Sequence, residues 1–196
     1  MRKLIAALQI SADGYIEGPN GEMDWAMSDD KESWKIINNT LDSVDTLILG
    51  RVMYPDYEKY WMSCLADPGS CSANDIAYAR RADSIPHLVL SRTLESVEWK
   101  TSSIIRDLVE IRKLKLEQGK DILALGGATL VSGLINNGLL DELHLLVNPL
   151  ILGGGKALFG DVMARHRLKL LSAKPLNSGK VSIVYGIGRE KITSEP

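Results

Sequence analysis

This 196-residue chain carries little histidine, little cysteine and no large excess of charge of either sign. Its three histidines, His87, His144 and His166, are scattered, with no HxxxH or HExxH spacing. Its two cysteines, Cys64 and Cys71, have no third or fourth ligand close by, so metal-dependent catalysis is not expected. A formal charge of −2 and a pI near 5.9 leave no electrostatic footprint for nucleic acid. No apolar run is long enough to span a bilayer. The opening "MRKLIAALQISADGY" imitates an export signal, but its apolar run is short and interrupted by Gln9, so a first β-strand and a cytoplasmic protein are expected. The spacing within "SCLADPGSC" could close a disulfide, yet a reducing compartment argues against a permanent one. There is no internal repeat, low-complexity tract or linker. A single domain over residues 1–196, large enough for a proper core, is the expectation.

The apolar runs that are present have strand length: "LIAALQI" (4–10), "TLILG" (46–50), "HLVLS" (87–91) and "DILALGG" (121–127). Their near-continuous hydrophobicity predicts strands covered on both faces, as in a parallel sheet between helices. Helical spacing separates them. Trp34, Ile37 and Leu41 form one face after Asp30; Ile104, Leu108 and Ile111 form another, with Gly119 as a stop. Leu130, Val131, Leu134 and Ile135 form a third, closed by Gly138. Residues 63–75 read as a surface loop. After residue 140 the pattern changes to consecutive strands, 142–152, 168–176 and 180–188, the last two joined by the turn signal "NSGK". The fold class is therefore α/β, a mostly parallel sheet with flanking helices and an antiparallel C-terminal edge.

Three strand exits share a pattern: "LGRVMYPDY", "LSRTL" and "LGGATL". Ligands of open α/β sheets bind beyond the carboxyl ends of the strands, so all three should open on one rim. Gly50 permits close backbone approach, Arg51 and Arg92 offer planar cations, and Ser91 and Thr93 offer hydroxyls. Gly126-Gly127 is either a tight strand-to-helix corner or a phosphate cradle at a helix N-terminus. Two arginines beside it favour a dinucleotide with an extra phosphate, NADPH over NADH. The second glycine cluster, "LGGGKALFG" (152–160), fails as a P-loop, because Ala157 stands where Mg²⁺ needs Ser or Thr. It reads as a wide turn lining the site or a subunit contact. The long loop 11–30, anchored by Met23 and Trp25, reads either as a lid over the rim or as an ordinary loop whose Asp29 or Asp30 caps the next helix.

"SADGYIEG", "LILGRVMY", "LVLSRTL" and "ILALGGATLVSGLINNGLLDELHLLVNPLILGGGKALFG" together resemble the dihydrofolate-reductase-like fold. The likeness is strongest to the C-terminal reductase domain of the bacterial riboflavin-biosynthesis deaminase-reductase. It covers nearly the whole chain, without the zinc-binding deaminase half. The resemblance implies NADPH-dependent reduction of a small heterocycle, such as 5-amino-6-(5-phosphoribosylamino)uracil. A pterin or folate reductase, or a nucleotide-binding protein without turnover, is the alternative. It places Gly50, Arg51, Ser91 and Arg92 on the adenosine-phosphate side and Gly126, Gly127, Ala128 and Thr129 at the pyrophosphate. The 13–25 segment, with Asp13 and Trp25, matches the loop over the nicotinamide. The "W…D" spacing from Trp25 makes Asp30 the expected proton donor, with burial raising its pKa. A homodimer is also implied.

Overall fold

The computed structural model describes residues 1–26 and 30–191. In chain order these form β1 (Leu4–Ser11), β2 (Tyr15–Glu17), α1 (Lys31–Ser43), β3 (Val44–Gly50), α2 (Tyr54–Ala66) and a 3₁₀ turn (Pro68–Ser70). There follow α3 (Ala73–Ala82), β4 (His87–Leu90), β5 (Ser102–Ile105), α4 (Leu108–Leu116), β6 (Asp121–Leu125) and α5 (Ala128–Asn136). The chain continues with β7 (Glu142–Asn148), β8 (Lys156–Ala157), β9 (His166–Pro175) and β10 (Val181–Lys191). Among the described residues, eight strands form one sheet in the order β5-β4-β3-β6-β1-β7-β10-β9. The first six run parallel, and β10 and then β9 add antiparallel at the C-terminal edge. The fold is thus mixed α/β with a mostly parallel sheet, as the switch in pattern after residue 140 implies.

The unbroken apolar runs have a simple cause. Successive strand side chains point to opposite faces, and helices cover both. Leu4, Ala6, Ile48, Ile122 and Ala124 pack with Ile111 of α4 and Val131 and Leu134 of α5. Their neighbours Ile5, Leu47, Leu49 and Leu123 face the other way, onto Leu41 of α1, Tyr54, Tyr57 and Trp61 of α2, and Tyr78 of α3.

Two local expectations need correction. Ile104 belongs to β5, and the following helix begins only at Leu108, capped by the Asp107 carboxylate on Val109 N and Glu110 N. The segment 63–75 is not a plain surface loop: it holds the end of α2, the 3₁₀ turn and the start of α3, where Ser72 and Asp75 form a capping box. That compact turn brings Cys64 and Cys71 together with Cα atoms 5.6 Å apart, and they form a disulfide. The sequence leaves the pairing open, its spacing allowing a bridge and a reducing compartment arguing against a permanent one; the local geometry pairs the two sulfurs. Among the described residues no helix is long and apolar enough to cross a membrane.

Candidate functional site

The parallel strands end on one rim, and there a continuous cleft of about 1600 Å³ opens. Single-ligand sites measure roughly 300–1000 Å³, so the cleft has room for a dinucleotide and a second molecule. Gly50, Arg51, Ser91, Arg92, Gly126, Gly127, Ala128 and Thr129 all line it.

At the β6 exit the chain turns directly into α5. A Cβ on Gly126 would stand 2.7 Å from Leu130 Cδ2 and 3.5 Å from Gly50 N, so this glycine lets the β3 and β6 exits approach closely. Gly127 has an ordinary extended backbone as the N-cap of α5, with no side-chain cap and only open space where a Cβ would be. Its lack of a side chain leaves the helix N-terminus uncovered. The intrahelical bonds begin with Leu130 and Val131 onto Gly127 O, so the N–H groups of Ala128 and Thr129 sit in the unpaired first turn, where the helix dipole is positive.

At the β4 exit the Ser91 hydroxyl accepts from Thr93 N at 3.2 Å and Leu94 N at 2.8 Å. Ser91 is buried, whereas the Arg51 and Arg92 side chains are exposed on the rim. The residue that sequence reasoning missed is Arg106, which also lines the cleft. Its guanidinium donates to Ser91 O at 3.0 Å and Leu94 O at 2.8 Å, bracing the 91–94 turn. "IIRDL" has the same strand-exit pattern as the other three, and that was the available signal.

The far half of the cleft lies between α1 and the β1–β7–β10 part of the sheet. Ser33, Trp34, Ile37 and Leu41 of α1 line it, as their helical spacing implies. The facing strand register sets out ranks of residues on one side of the sheet. Gln9 pairs with Leu146, which pairs with Ser182; Ala7 pairs with His144, which pairs with Val184. One step toward the rim stands Asn148, beside Ser11. Lys180, immediately before β10, is 5% exposed and lines the cleft. Its ammonium donates to Gln9 Oε1 at 3.4 Å, and Asn148 Nδ2 donates to the same oxygen at 3.3 Å. Burial pushes the Lys180 pKa down, while the charge of Asp30 works in the opposite direction.

Asp30 itself is not in the lining of the cleft among the described residues. It is the N-cap of α1, accepting from Glu32 N at 3.0 Å and Ser33 Oγ at 2.6 Å. It also accepts from Ser178 Oγ at 2.7 Å, and Asn177 N donates to Glu32 Oε2 at 2.7 Å. The β9–β10 hairpin is thereby latched to the start of α1. Burial pushes the Asp30 pKa up, but the bonds from Ser33, Ser178 and Glu32 outweigh it and bring the value to about 2. The expectation of a protonated Asp30 is therefore corrected: this carboxylate is ionised and committed to capping. Asp29, the other candidate cap, lies outside the described residues.

The lid residues also serve the loop itself. Asp13 accepts from Leu152 N at 3.1 Å and Gly153 N at 2.8 Å. Hydrogen bonds from Ser11 and from the backbone of Gly153 and Leu152 hold its carboxyl below the usual range. Trp25 Nε1 donates to Glu22 O at 3.0 Å. Neither lines the cleft, whereas Ile16, Gly21, Met23 and Ala26 of the same loop do. The triple-glycine turn packs against this loop. Gly155 has φ +115°, and a Cβ there would lie 2.0 Å from Glu17 O, so the two loops meet backbone to backbone.

Comparison with known proteins agrees with this architecture. The chain is 36% identical over 185 residues to the protein YyaP of Bacillus subtilis (strain 168), covering 94% of each chain. In three dimensions it resembles a diaminohydroxyphosphoribosylaminopyrimidine deaminase/5-amino-6-(5-phosphoribosylamino)uracil reductase from Thermotoga maritima. That match has a TM-score of 0.66 at 12% identity, over 95% of this chain and 57% of the other. It also resembles a dihydrofolate reductase from Enterococcus faecalis complexed with NADP(H), with a TM-score of 0.62 at 14% identity over 94% and 96% of the two chains. Residues 2–182 match the RibD C-terminal domain, and with its dihydrofolate-reductase-like fold the chain belongs to that family.

Proposed function

We propose that this protein is an NADPH-dependent reductase of a small heterocyclic substrate. The observation that carries the reading is the convergence of three strand exits and the uncovered N-terminus of α5 on one cleft. The chain's groups fit the cofactor. The first-turn N–H groups of Ala128 and Thr129 suit the pyrophosphate, and Gly126 and Gly50 allow the close backbone approach. Arg51 and Arg92, on the rim beside Ser91, suit an additional phosphate on the adenosine side. NADPH, when bound, supplies a hydride. The names of the Thermotoga and Enterococcus proteins, a uracil-derivative reductase and a folate reductase bound to NADP(H), point to the same chemistry.

Titration of the full chain with NADPH and NADH, followed by fluorescence, tests the cofactor. Arg51→Ala and Arg92→Ala should each weaken NADPH by roughly 1.5–3 kcal/mol, the range for hydrogen bonds to charged groups, and leave NADH nearly unchanged. Equal losses for both cofactors would refute the phosphate assignment. A screen for substrate-dependent loss of NADPH absorbance tests turnover, and tight binding without any turnover would instead identify a nucleotide-binding protein.

The active form in this proposal is a homodimer. Leu168, Leu170 and Leu171 on the edge strand β9 are each more than two-fifths exposed, and Ile151 and Met163 are more exposed still. Exposed large apolar side chains along an unpaired sheet edge favour association. Light scattering at micromolar concentration should return twice 21.5 kDa; the monomer mass would overturn it.

A further inference from the structure

We propose that the side lobe of the cleft, where α1 faces α2 and α3, is a subsite for an alkylated ammonium group carried by the molecule that shares the cleft with the cofactor. The subsite stands on its own residues; only the view of that molecule as a substrate rests on the reductase reading.

Aromatic rings from three helices wall this lobe. Met53, Asp56, Tyr57, Tyr60 and Trp61 recur at helical spacing on α2 and all line the cleft, so one face of that helix turns toward it. Trp34 of α1 and Tyr78 of α3 line it as well. Ring centroids lie 4.8 Å apart for Tyr60 and Trp61, 4.2 Å for Trp61 and Tyr78, and 6.3 Å for Trp34 and Tyr78. The four rings therefore form one continuous wall. Trp61 and Tyr78 also pack into the core layer, whereas Tyr60 is 39% exposed and Trp34 is half-buried.

The charge on this wall is negative. Asp75 of α3 lines the cleft and is 8% exposed. Its carboxylate accepts from Ser72 Oγ at 2.7 Å and Ser72 N at 3.2 Å. Burial and then the Asp75 charge push the Tyr60 pKa up, which sets the phenol beside that carboxylate. Among the described residues no lysine or arginine forms an ion pair with Asp75. Asp56 adds a second acid on the α2 face. The basic residues of the lining belong to other elements: Arg51, Arg92 and Arg106 to the strand exits, Lys156 to β8 and Lys180 to the turn before β10. A cation over ring faces is attracted by their quadrupoles, and a carboxylate in partly dry surroundings strengthens the attraction. An alkylated ammonium suits both features, because its charge is spread over methyl groups that pack on the rings. A phosphate or carboxylate would meet like charge there.

Choline, 3,3-dimethyl-1-butanol and 3,3-dimethylbutyrate test this, because they have nearly one shape and carry a positive charge, no charge and a negative charge. Each is titrated calorimetrically into the full chain, with and without NADPH. Choline should bind about tenfold or more tighter than the alcohol, and the carboxylate should bind weakest. Asp75→Asn keeps the shape of the wall and removes its charge; it should weaken choline about fivefold or more and leave the alcohol unchanged. Tyr60→Leu, at an exposed position, should weaken choline by a similar factor. NADPH affinity should stay within about twofold in both variants, and an unchanged circular dichroism spectrum excludes misfolding as the cause. Equal affinities for choline and the alcohol, a preference for the carboxylate, no choline binding at millimolar concentration, or choline binding indifferent to both substitutions would each overturn the proposal. Choline discrimination without NADPH binding would support the subsite while removing the reductase reading. NADPH binding without discrimination would do the reverse.

Discussion

Replacing Asp30 separates a structural carboxylate from a chemical one. In the folded chain its pKa is about 2, against an ordinary value of ~3.9, and each pH unit corresponds to ~1.36 kcal/mol. The bonds that lower it therefore favour the ionised folded form by about 2.5 kcal/mol before screening. The side chain is partly exposed, and solvent screening brings this to about 1–2 kcal/mol. Loss of an N-cap costs roughly 0.5–2 kcal/mol by itself, so the two routes to the magnitude agree. Asp30→Ala should lose about 1–2 kcal/mol in urea unfolding at pH 7, with a fall in Tm of about 3–6 °C for a chain of this size. Asp30→Asn should lose less, because asparagine caps as well as aspartate and only the charge is gone. The pH dependence follows from the depressed folded pKa: the stabilisation is complete above ~4 and disappears as pH falls toward 2. The difference between native protein and Asp30→Ala should shrink over that window. If Asp30→Ala is as stable as the native chain at pH 7 while its turnover collapses, the capping argument is wrong and the carboxylate acts in the chemistry.

His87 has no exposed surface, and its ring lies 4.5 Å from that of Trp99 and 5.7 Å from that of Tyr57, centre to centre. Burial lowers its pKa to about 4, although Asp83 and Glu58 favour the charged form. Its contribution is complete above ~6.5 and should decline by about 3 kcal/mol as pH falls to 4; urea titrations should show that slope, and His87→Leu should flatten it. Reducing the Cys64–Cys71 bridge opens a short loop, separation 7, for which chain entropy gives about 2 kcal/mol. Dithiothreitol should lower Tm by about 4–8 °C and have no effect on Cys71→Ser; a native chain indifferent to reductant would contradict the bridge. Gly155→Ala combines a positive φ with a Cβ placed 2.0 Å from Glu17 O, and should cost about 3 kcal/mol or more in unfolding free energy.

Much of the architecture follows from local pattern. The period-two alternation inside "LIAALQI" and "TLILG", with both phases apolar, is sufficient to place β1 and β3 between two helical layers. The Gly-Gly exit into the amphipathic run 128–136 likewise locates the open end of α5. These properties depend on residues within one or two turns of each other. Ile104 shows the limit of such reasoning, because its spacing to Leu108 is helical while hydrogen bonding to β4 makes it strand. Asp30, Lys180 and Cys71 lie beyond that limit for a common reason: their states depend on partners supplied by other elements. Asp30 is held ionised partly by Ser178, 148 residues away, and Lys180 meets Gln9 across 171 residues only because β1, β7 and β10 lie side by side. Cys71 reaches Cys64 because the 3₁₀ turn folds between them. The spacing of an acid in sequence tells where it stands on a helix, whereas its charge and its work are decided by the hydrogen-bond donors the tertiary fold brings to it.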